Sequence, residues 1–187
     1  MNQIDTYAPL FDATETRAVL VDAPPAAVLG AAERVDVAST VVQAIEALGL
    51  GDRLALAPAP LAAGRREHVY GMAWRVDGGP AERVHPQQLR AFDRPGYVKV
   101  LWDVRVEAGS ETGTLLSTTT RVVSTDAESR ERLESAWGVF GPVAAALATR
   151  ALTAVKESAE AADELAAAGP VQIPAGHRRP SGLAVAA

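Results

Sequence analysis

The sequence predicts a single α+β domain in which a bent antiparallel sheet wraps around one long C-terminal helix. One predicted strand is followed by two helices with no strand between them, so the chain does not repeat the strand–helix–strand unit of parallel sheets. A series of alternating segments separated by turns comes next, and a long amphipathic segment follows it. Where side chains do not fill the space between such a sheet and helix, a pocket forms.

The first part of the chain predicts one strand and two short helices. Residues 16–23 are rich in β-branched and apolar side chains, which favours a strand. Pro24 and Pro25 end it, and proline is favourable at the first position of a helix, which is expected to run to Glu33. A second helix is predicted from Asp36 and is expected to end at the glycines of residues 49–51.

Three less regular segments follow in the middle of the chain. Residues 53–57 fit a short strand, and residues 58–64 are predicted to form a loop. Residues 81–92 are polar and contain Pro86, which predicts an edge or bulged strand.

Three segments alternate strongly enough to predict regular strands, over residues 67–76, 97–106 and 114–124. The first and second each place their larger side chains on one face. These are His68, Tyr70, Met72 and Trp74 in the first, and Val98, Val100, Trp102, Val104 and Val106 in the second.

A long helix is predicted after the last strand. Thr125 and Glu128 have the spacing of a capping box. One apolar stripe follows, and Pro142 is expected to kink the helix. The domain is expected to cover residues 16–165, after a lead-in over 1–15 without a clear period and before a disordered tail over 166–187. The stripe comprises Leu133, Trp137, Phe140, Ala144, Leu147, Ala151, Val155, Ala159 and Ala162.

Composition restricts the possible functions. The 187-residue chain has a formal net charge of −5, which opposes binding to nucleic acid and to anionic membrane surfaces. It contains no cysteine, which excludes disulfides and cysteine metal sites. Its three histidines are far apart, no phosphate-binding or nucleophile motif is present, and no continuous apolar run reaches about 18 residues. We therefore expect a cytoplasmic protein with no metal, no cofactor and no membrane insertion.

Local motifs resemble an uncharacterised bacterial branch of the START-like, or SRPBCC, superfamily. Residues 92–102, FDRPGYVKVLW, are similar to its "F…PGY.K..W" strand, and residues 116–122, LSTTTRV, to its "LSTETRV" strand. Thr119 departs from this pattern, because relatives carry glutamate there. The resemblance covers about residues 16–162 and implies a helix-grip fold around a ligand cavity. The final helix shares further positions with the branch, namely Thr125, Asp126, Ser129, Arg130, Trp137, Pro142, Lys156 and Glu160.

Eight residues are candidates for lining that cavity. Each also has an ordinary structural interpretation: the aromatic stripe could be a packed core face, and Trp137 with Phe140 could anchor the helix instead of gating a pocket. Arg121 could hold a ligand carboxylate if it points inward, or pair with Asp103 or Glu107 if it points outward, and the outward direction is favoured. The candidates are His68, Tyr70, Met72, Trp74, Trp102, Arg121, Trp137 and Phe140.

The function expected first is binding or carriage of a hydrophobic small molecule of unknown identity. One alternative is an enzyme of the polyketide cyclase/aromatase kind, with His68, Tyr70 and Arg121 as candidate acid–base groups. The other is a protein-interaction domain without a cavity, and a homodimer is possible. Catalysis is not favoured, because no catalytic motif is present.

Overall fold

The computed structural model describes residues 2–35, 59–79, 82, 84–109 and 113–168. The predicted helix from Asp36, the predicted strand 53–57 and most of the predicted tail lie outside these residues. In chain order the elements are helix α1 (Ile4–Tyr7), strand β1 (Ala13–Val21), helix α2 (Pro25–Arg34), strands β2 (Ala59–Ala63) and β3 (Glu67–Arg75), helix α3 (Pro86–Leu89), strands β4 (Tyr97–Ala108) and β5 (Thr114–Ser124), and helix α4 (Ala127–Ala167).

The strands form one antiparallel sheet in the order β1-β5-β4-β3-β2. Strands β3, β4 and β5 are neighbours both in sequence and in the sheet, as is usual for consecutive strands, although helix α3 lies in the connection between β3 and β4. Strand β1 closes the other edge by pairing with β5 along its whole length, from Ala13 opposite Val122 to Val21 opposite Thr114. The chain has the α+β architecture of a helix-grip fold, with one antiparallel sheet and a long C-terminal helix.

Two predicted segments differ from the structure. Ala59–Ala63 form strand β2, where a loop was predicted. Pro60 is tolerated there because β2 is an edge strand, and the register shifts between Pro60 and Ala62.

The weak strand predicted over residues 81–92 is also wrong in its main part. Glu82 makes only an isolated bridge to Ala73, and Pro86 begins the short helix α3. Proline is favourable at a helix start, and the His85 side chain caps the helix by accepting the Gln87 N–H at 3.4 Å. Helix α3 directs Leu89, which is buried, onto the sheet.

Helix α4 begins with a different cap from the one predicted. Asp126, not Thr125, is the N-cap, and its carboxylate accepts the Ser129 N–H at 2.9 Å and the Gly96 N–H at 2.6 Å. Gly96 has a φ of +83°, a conformation that favours glycine. Its hydrogen bond to Asp126 connects the turn before β4 to the start of the helix. These hydrogen bonds to its charged form hold the pKa of Asp126 far below its usual range. The helix continues through Pro142 to Ala167.

Both faces of the sheet are covered. We call the side that carries α4 and α2 the helix face; its core includes Val21, Val28, Leu116 and Val155. The other side, the N-terminal face, is covered by the segment before β1 and by α3. This segment is not simply extended, because α1 buries Ile4 completely against the sheet.

Hydrogen bonds and ion pairs hold the N-terminal segment in place. The Glu67 carboxylate accepts the N–H groups of Gln3 at 2.8 Å and Ile4 at 3.0 Å. The Tyr7 hydroxyl donates to the Leu61 carbonyl at 2.8 Å. Arg130 of α4 pairs with Asp12 at 2.7 Å, just before β1. The first dozen residues are therefore part of the packed structure.

Part of α4 is unusually apolar for a helix at a protein surface. It contains an 18-residue window of mean hydropathy 1.4, and 28% of that window is buried. By length and composition alone this helix could cross a membrane, although core helices of soluble proteins meet the same criterion. Since Leu152, Val155 and Ala159 pack into the core of the helix face, α4 is also a core element here. That the protein does not insert into membranes stays a prediction.

Candidate ligand cavity

A cavity of about 190 Å³ lies between the helix face and α4. Strands β3, β4 and β5 supply one wall and α4 supplies the other. The lining side chains are apolar except for two threonines: Met72, Trp74, Val98, Val100, Trp102, Val104, Thr118, Thr120, Val122, Leu133, Trp137, Phe140, Val143, Ala144, Leu147, Ala148, Ala151, Leu152 and Val155.

The cavity follows from how α4 crosses the sheet. The closest neighbours of α4 are β1, β5 and α2, and its second half buries Leu152, Val155 and Ala159 among them. In the first half, Trp137 and Leu147 are only half-buried. Because the helix presents alanines and the strands present mainly valines here, the side chains are too small to fill the gap.

Five of the eight predicted residues lie together at this cavity: Met72, Trp74, Trp102, Trp137 and Phe140. The rings of Trp74 and Phe140 meet edge to face with centroids 6.0 Å apart, which joins β3 to α4. The Trp74 indole N–H donates to the Gly79 carbonyl at 3.2 Å and fixes that ring. Phe140 remains 36% exposed, so it lies at the edge of the cavity.

His68 and Tyr70 lie on the helix face but not in the cavity wall. Tyr70 stacks on Trp102 with ring centroids 5.8 Å apart and packs against the core that contains α2. The His68 Nε2 lies 3.7 Å from a carboxylate oxygen of Glu33 in α2. Alternation along β3 places both on the predicted face, but the cavity lies further along the strand, toward Trp74.

Arg121 does not line the cavity, because it lies on the N-terminal face. Its guanidinium pairs with Asp5 at 2.8 Å, donates to the Ala8 carbonyl at 2.7 Å and covers the ring of Phe11. The outward direction was favoured, but the expected partners, Asp103 and Glu107, are replaced by the N-terminal segment. The pairing with Arg121 holds the pKa of Asp5 below its usual value.

The polar part of the cavity was not identified from the sequence. Thr118 and Thr120 share a face with Val122 and border the cavity from β5. The Thr118 hydroxyl donates to the Asp103 carbonyl, whereas the Thr120 hydroxyl has no hydrogen-bond partner among the described residues. Thr120 lies directly opposite Trp102, a predicted cavity residue, so it could have been identified only with the correct pairing of β4 and β5.

No lining side chain among the described residues is titratable. Nor does any group of three or more histidine or acidic side chains in this part of the chain have the arrangement of a metal site. The cavity as described can therefore hold and orient an apolar molecule, and it offers no acid or base to react with one.

A second depression, of about 430 Å³, lies near the start of α4 and is polar. Three arginines border it, but each is already paired with a carboxylate. Arg75 pairs with Asp77, Arg94 with Glu82 at 2.8 Å, and Arg132 with Glu128 at 2.6 Å. These ion pairs leave the apolar cavity as the better candidate site.

Comparison with known proteins gives structural likeness only. No protein family and no curated protein matches the sequence. Among solved structures, TTHA0849 of Thermus thermophilus matches with a TM-score of 0.41 at 10% identity, over 80% of this chain and 99% of that one. The Zhui aromatase/cyclase of a Streptomyces species matches with a TM-score of 0.35 at 19% identity, over 85% of this chain and 99% of that one.

Proposed function

We propose that the protein binds or carries a small, uncharged, hydrophobic molecule in the cavity between its sheet and α4. The observation that carries this proposal is the composition of the cavity wall, which consists of apolar side chains and two threonines. Such a wall favours apolar ligands, and burial of a charged one without a partner would be strongly unfavourable. The volume of about 190 Å³ suits a ligand of one or two rings, since a cavity of about 150 Å³ accommodates benzene.

The cyclase/aromatase alternative has less support. The three groups suggested for acid–base chemistry do not meet: His68 and Tyr70 lie beyond the cavity, and Arg121 lies on the other face. An interaction domain would not need a cavity lined by three tryptophans. We therefore expect binding without turnover, in a protein that works without a metal or an organic cofactor.

The test is to identify what the purified protein carries. The protein would be examined by native mass spectrometry and then denatured in organic solvent, so that released molecules can be identified. Ala148→Phe is the matched variant, because Ala148 borders the cavity from α4 and phenylalanine would fill it without interrupting the helix. We expect one apolar compound at near-stoichiometric yield from the wild type and almost none from the variant.

Equal release from both proteins would contradict the proposal, since the molecule would then be bound elsewhere. If the wild type releases nothing, the empty protein would be titrated with naphthalene by calorimetry. Failure of naphthalene to bind would also overturn the proposal.

A further inference from the structure

We propose that Thr120 determines specificity in this cavity, and that the ligand is an uncharged ring compound with one hydroxyl or carbonyl group held by the Thr120 hydroxyl. This inference rests on the proposed function and adds the chemical class of the ligand. It depends on the different environments of the two threonines in the wall.

Thr118 and Thr120 differ in what their hydroxyl groups already bind. Thr118 is buried, and its hydroxyl donates to the carbonyl of Asp103 in the neighbouring strand. The hydroxyl proton of Thr118 is therefore not available to a ligand. Thr120 is half-buried, and its hydroxyl makes no hydrogen bond within the part of the chain that the structure describes. A hydroxyl at a cavity wall can donate to a carbonyl or accept from another hydroxyl, and its partner must come from the ligand or from water.

The position of Thr120 relative to Trp102 suggests a flat ligand. The two residues are directly opposite each other in β5 and β4, so their side chains are neighbours on the helix face. Trp102 already stacks on Tyr70, its neighbour in β3 on the opposite side from Thr120 in β5. A ring that packs against Trp102 would therefore bring a substituent within reach of the Thr120 hydroxyl.

The charged residues that pair with Thr120 and Thr118 across the strands argue against an anionic ligand. Glu15 of β1 is the cross-strand neighbour of Thr120 on its other side, and Arg17 is the neighbour of Thr118. Glu15 and Arg17 pair with each other at 2.6 Å and are not part of the cavity wall. Since Arg17 is engaged by Glu15, it offers no free cation for a ligand carboxylate, and the ligand's polar group is expected to be neutral.

The test uses three probes of one size: naphthalene, 2-naphthol and 2-naphthoate. Their Kd values would be measured by calorimetry for the wild type, for Thr120→Val, which keeps the shape of the side chain, and for Thr119→Val. Thr119 is the matched control, because it adjoins Thr120 but contacts Thr16 on the opposite face. Circular dichroism would check that each variant is folded.

We expect Thr120→Val to weaken 2-naphthol about fivefold to tenfold relative to naphthalene, the range of one hydrogen bond. Thr119→Val should leave that ratio as in the wild type, and 2-naphthoate should bind the wild type at least tenfold more weakly than 2-naphthol. An unchanged ratio in Thr120→Val, or tight binding of 2-naphthoate, would overturn this inference while naphthalene binding still supports the proposed function. Failure of naphthalene itself to bind would instead contradict the proposed function.

Discussion

The carboxyl group of Asp103 is completely buried in the N-terminal face. One oxygen accepts the Thr119 N–H at 2.6 Å, and the other has no hydrogen-bond partner among the described residues. The pKa of Asp103 is raised to about 6, mainly by burial and to a smaller extent by Glu67, while the Thr119 N–H, Arg105 and Arg121 oppose the change. Asp103 is therefore expected to bind a proton more readily in the folded protein than in the unfolded chain.

This difference predicts a pH dependence of stability. Because the pKa of Asp103 is about 6 when folded and 3.8 in its ordinary state, its contribution is greatest below pH 3.8 and is lost as the pH rises through about 6. Between pH 7 and pH 5 the wild type should gain about 1 kcal/mol relative to Asp103→Asn. Urea unfolding of both proteins at pH 5, 6 and 7 measures the difference. Identical pH profiles would contradict this assignment.

Carboxylates with lowered pKa values do not obscure that comparison. Hydrogen bonds lower the pKa of Asp5, Asp126 and Glu160, so their contributions are lost only as the pH falls below the ordinary range of carboxylates. These groups stay ionised in both proteins from pH 5 to pH 7.

Arg121 shows which residue-level details the sequence could and could not supply. The rarity of unpaired buried arginine correctly favoured an outward direction. Its partners could not be predicted, because Asp5 and Ala8 lie more than a hundred residues away in a segment with no clear period. Thr120 was missed for a related reason, since a threonine-rich strand alone does not reveal which hydroxyl lacks a partner.

Two glycines should respond to alanine in opposite ways, because one lies in a packed strand and the other in an open part of a helix. A Cβ at Gly71 of β3 would lie 2.6 Å from Leu89 and 2.8 Å from Leu61, both of which are buried. At Gly138 of α4, apart from its two chain neighbours and the backbone of the helix itself, no heavy atom of the described residues lies within 4 Å of that position. Gly71→Ala should cost about 1–3 kcal/mol, and Gly138→Ala should gain up to about 1 kcal/mol.

Thermal and urea unfolding of both variants would measure these changes. The wild type and the two variants would be compared under identical conditions. A stabilised Gly71→Ala would show that β3 does not pack against α3 and β2 as described, and a destabilised Gly138→Ala would indicate that this side of α4 is covered.

The elements differ in how far their sequence determined them. Strand β5 was predicted with its observed bounds and β3 to within one residue, because alternation and flanking turns agree there. Strand β2 has the sequence APLAA, which lacks β-branched residues and depends on pairing with β3 for its conformation. Helix α3 is a single turn whose Leu89 is held by tertiary contacts, so its short sequence carried little helical pattern.

The cavity is a property of the whole molecule. Alternation correctly placed His68, Tyr70, Met72 and Trp74 on one face, but it contains no information on where α4 crosses that face. Helix α4 crosses near Trp74, so Met72 and Trp74 border the cavity and His68 and Tyr70 do not. The position of the cavity depends on packing between distant elements, which the pattern of a single strand or helix does not contain.

All three tryptophans of the chain, Trp74, Trp102 and Trp137, border the cavity. When indole is excited selectively, the fluorescence of the protein therefore comes only from rings that border this cavity. Trp74 and Trp102 lie in the sheet wall and Trp137 in the helix wall, so a small apolar molecule that enters should lie close to at least one indole ring. This property allows ligand entry to be measured without a label.

The most direct measurement is a titration of tryptophan fluorescence with bromobenzene, an uncharged single ring whose heavy atom quenches indole emission on contact. We predict saturable quenching of the wild type at low ligand concentration, and only weak, linear quenching of Ala148→Phe, whose side chain would occupy the cavity. If the wild type and the variant show the same linear quenching, the indoles meet bromobenzene only from solvent, and the proposed ligand cavity would be contradicted.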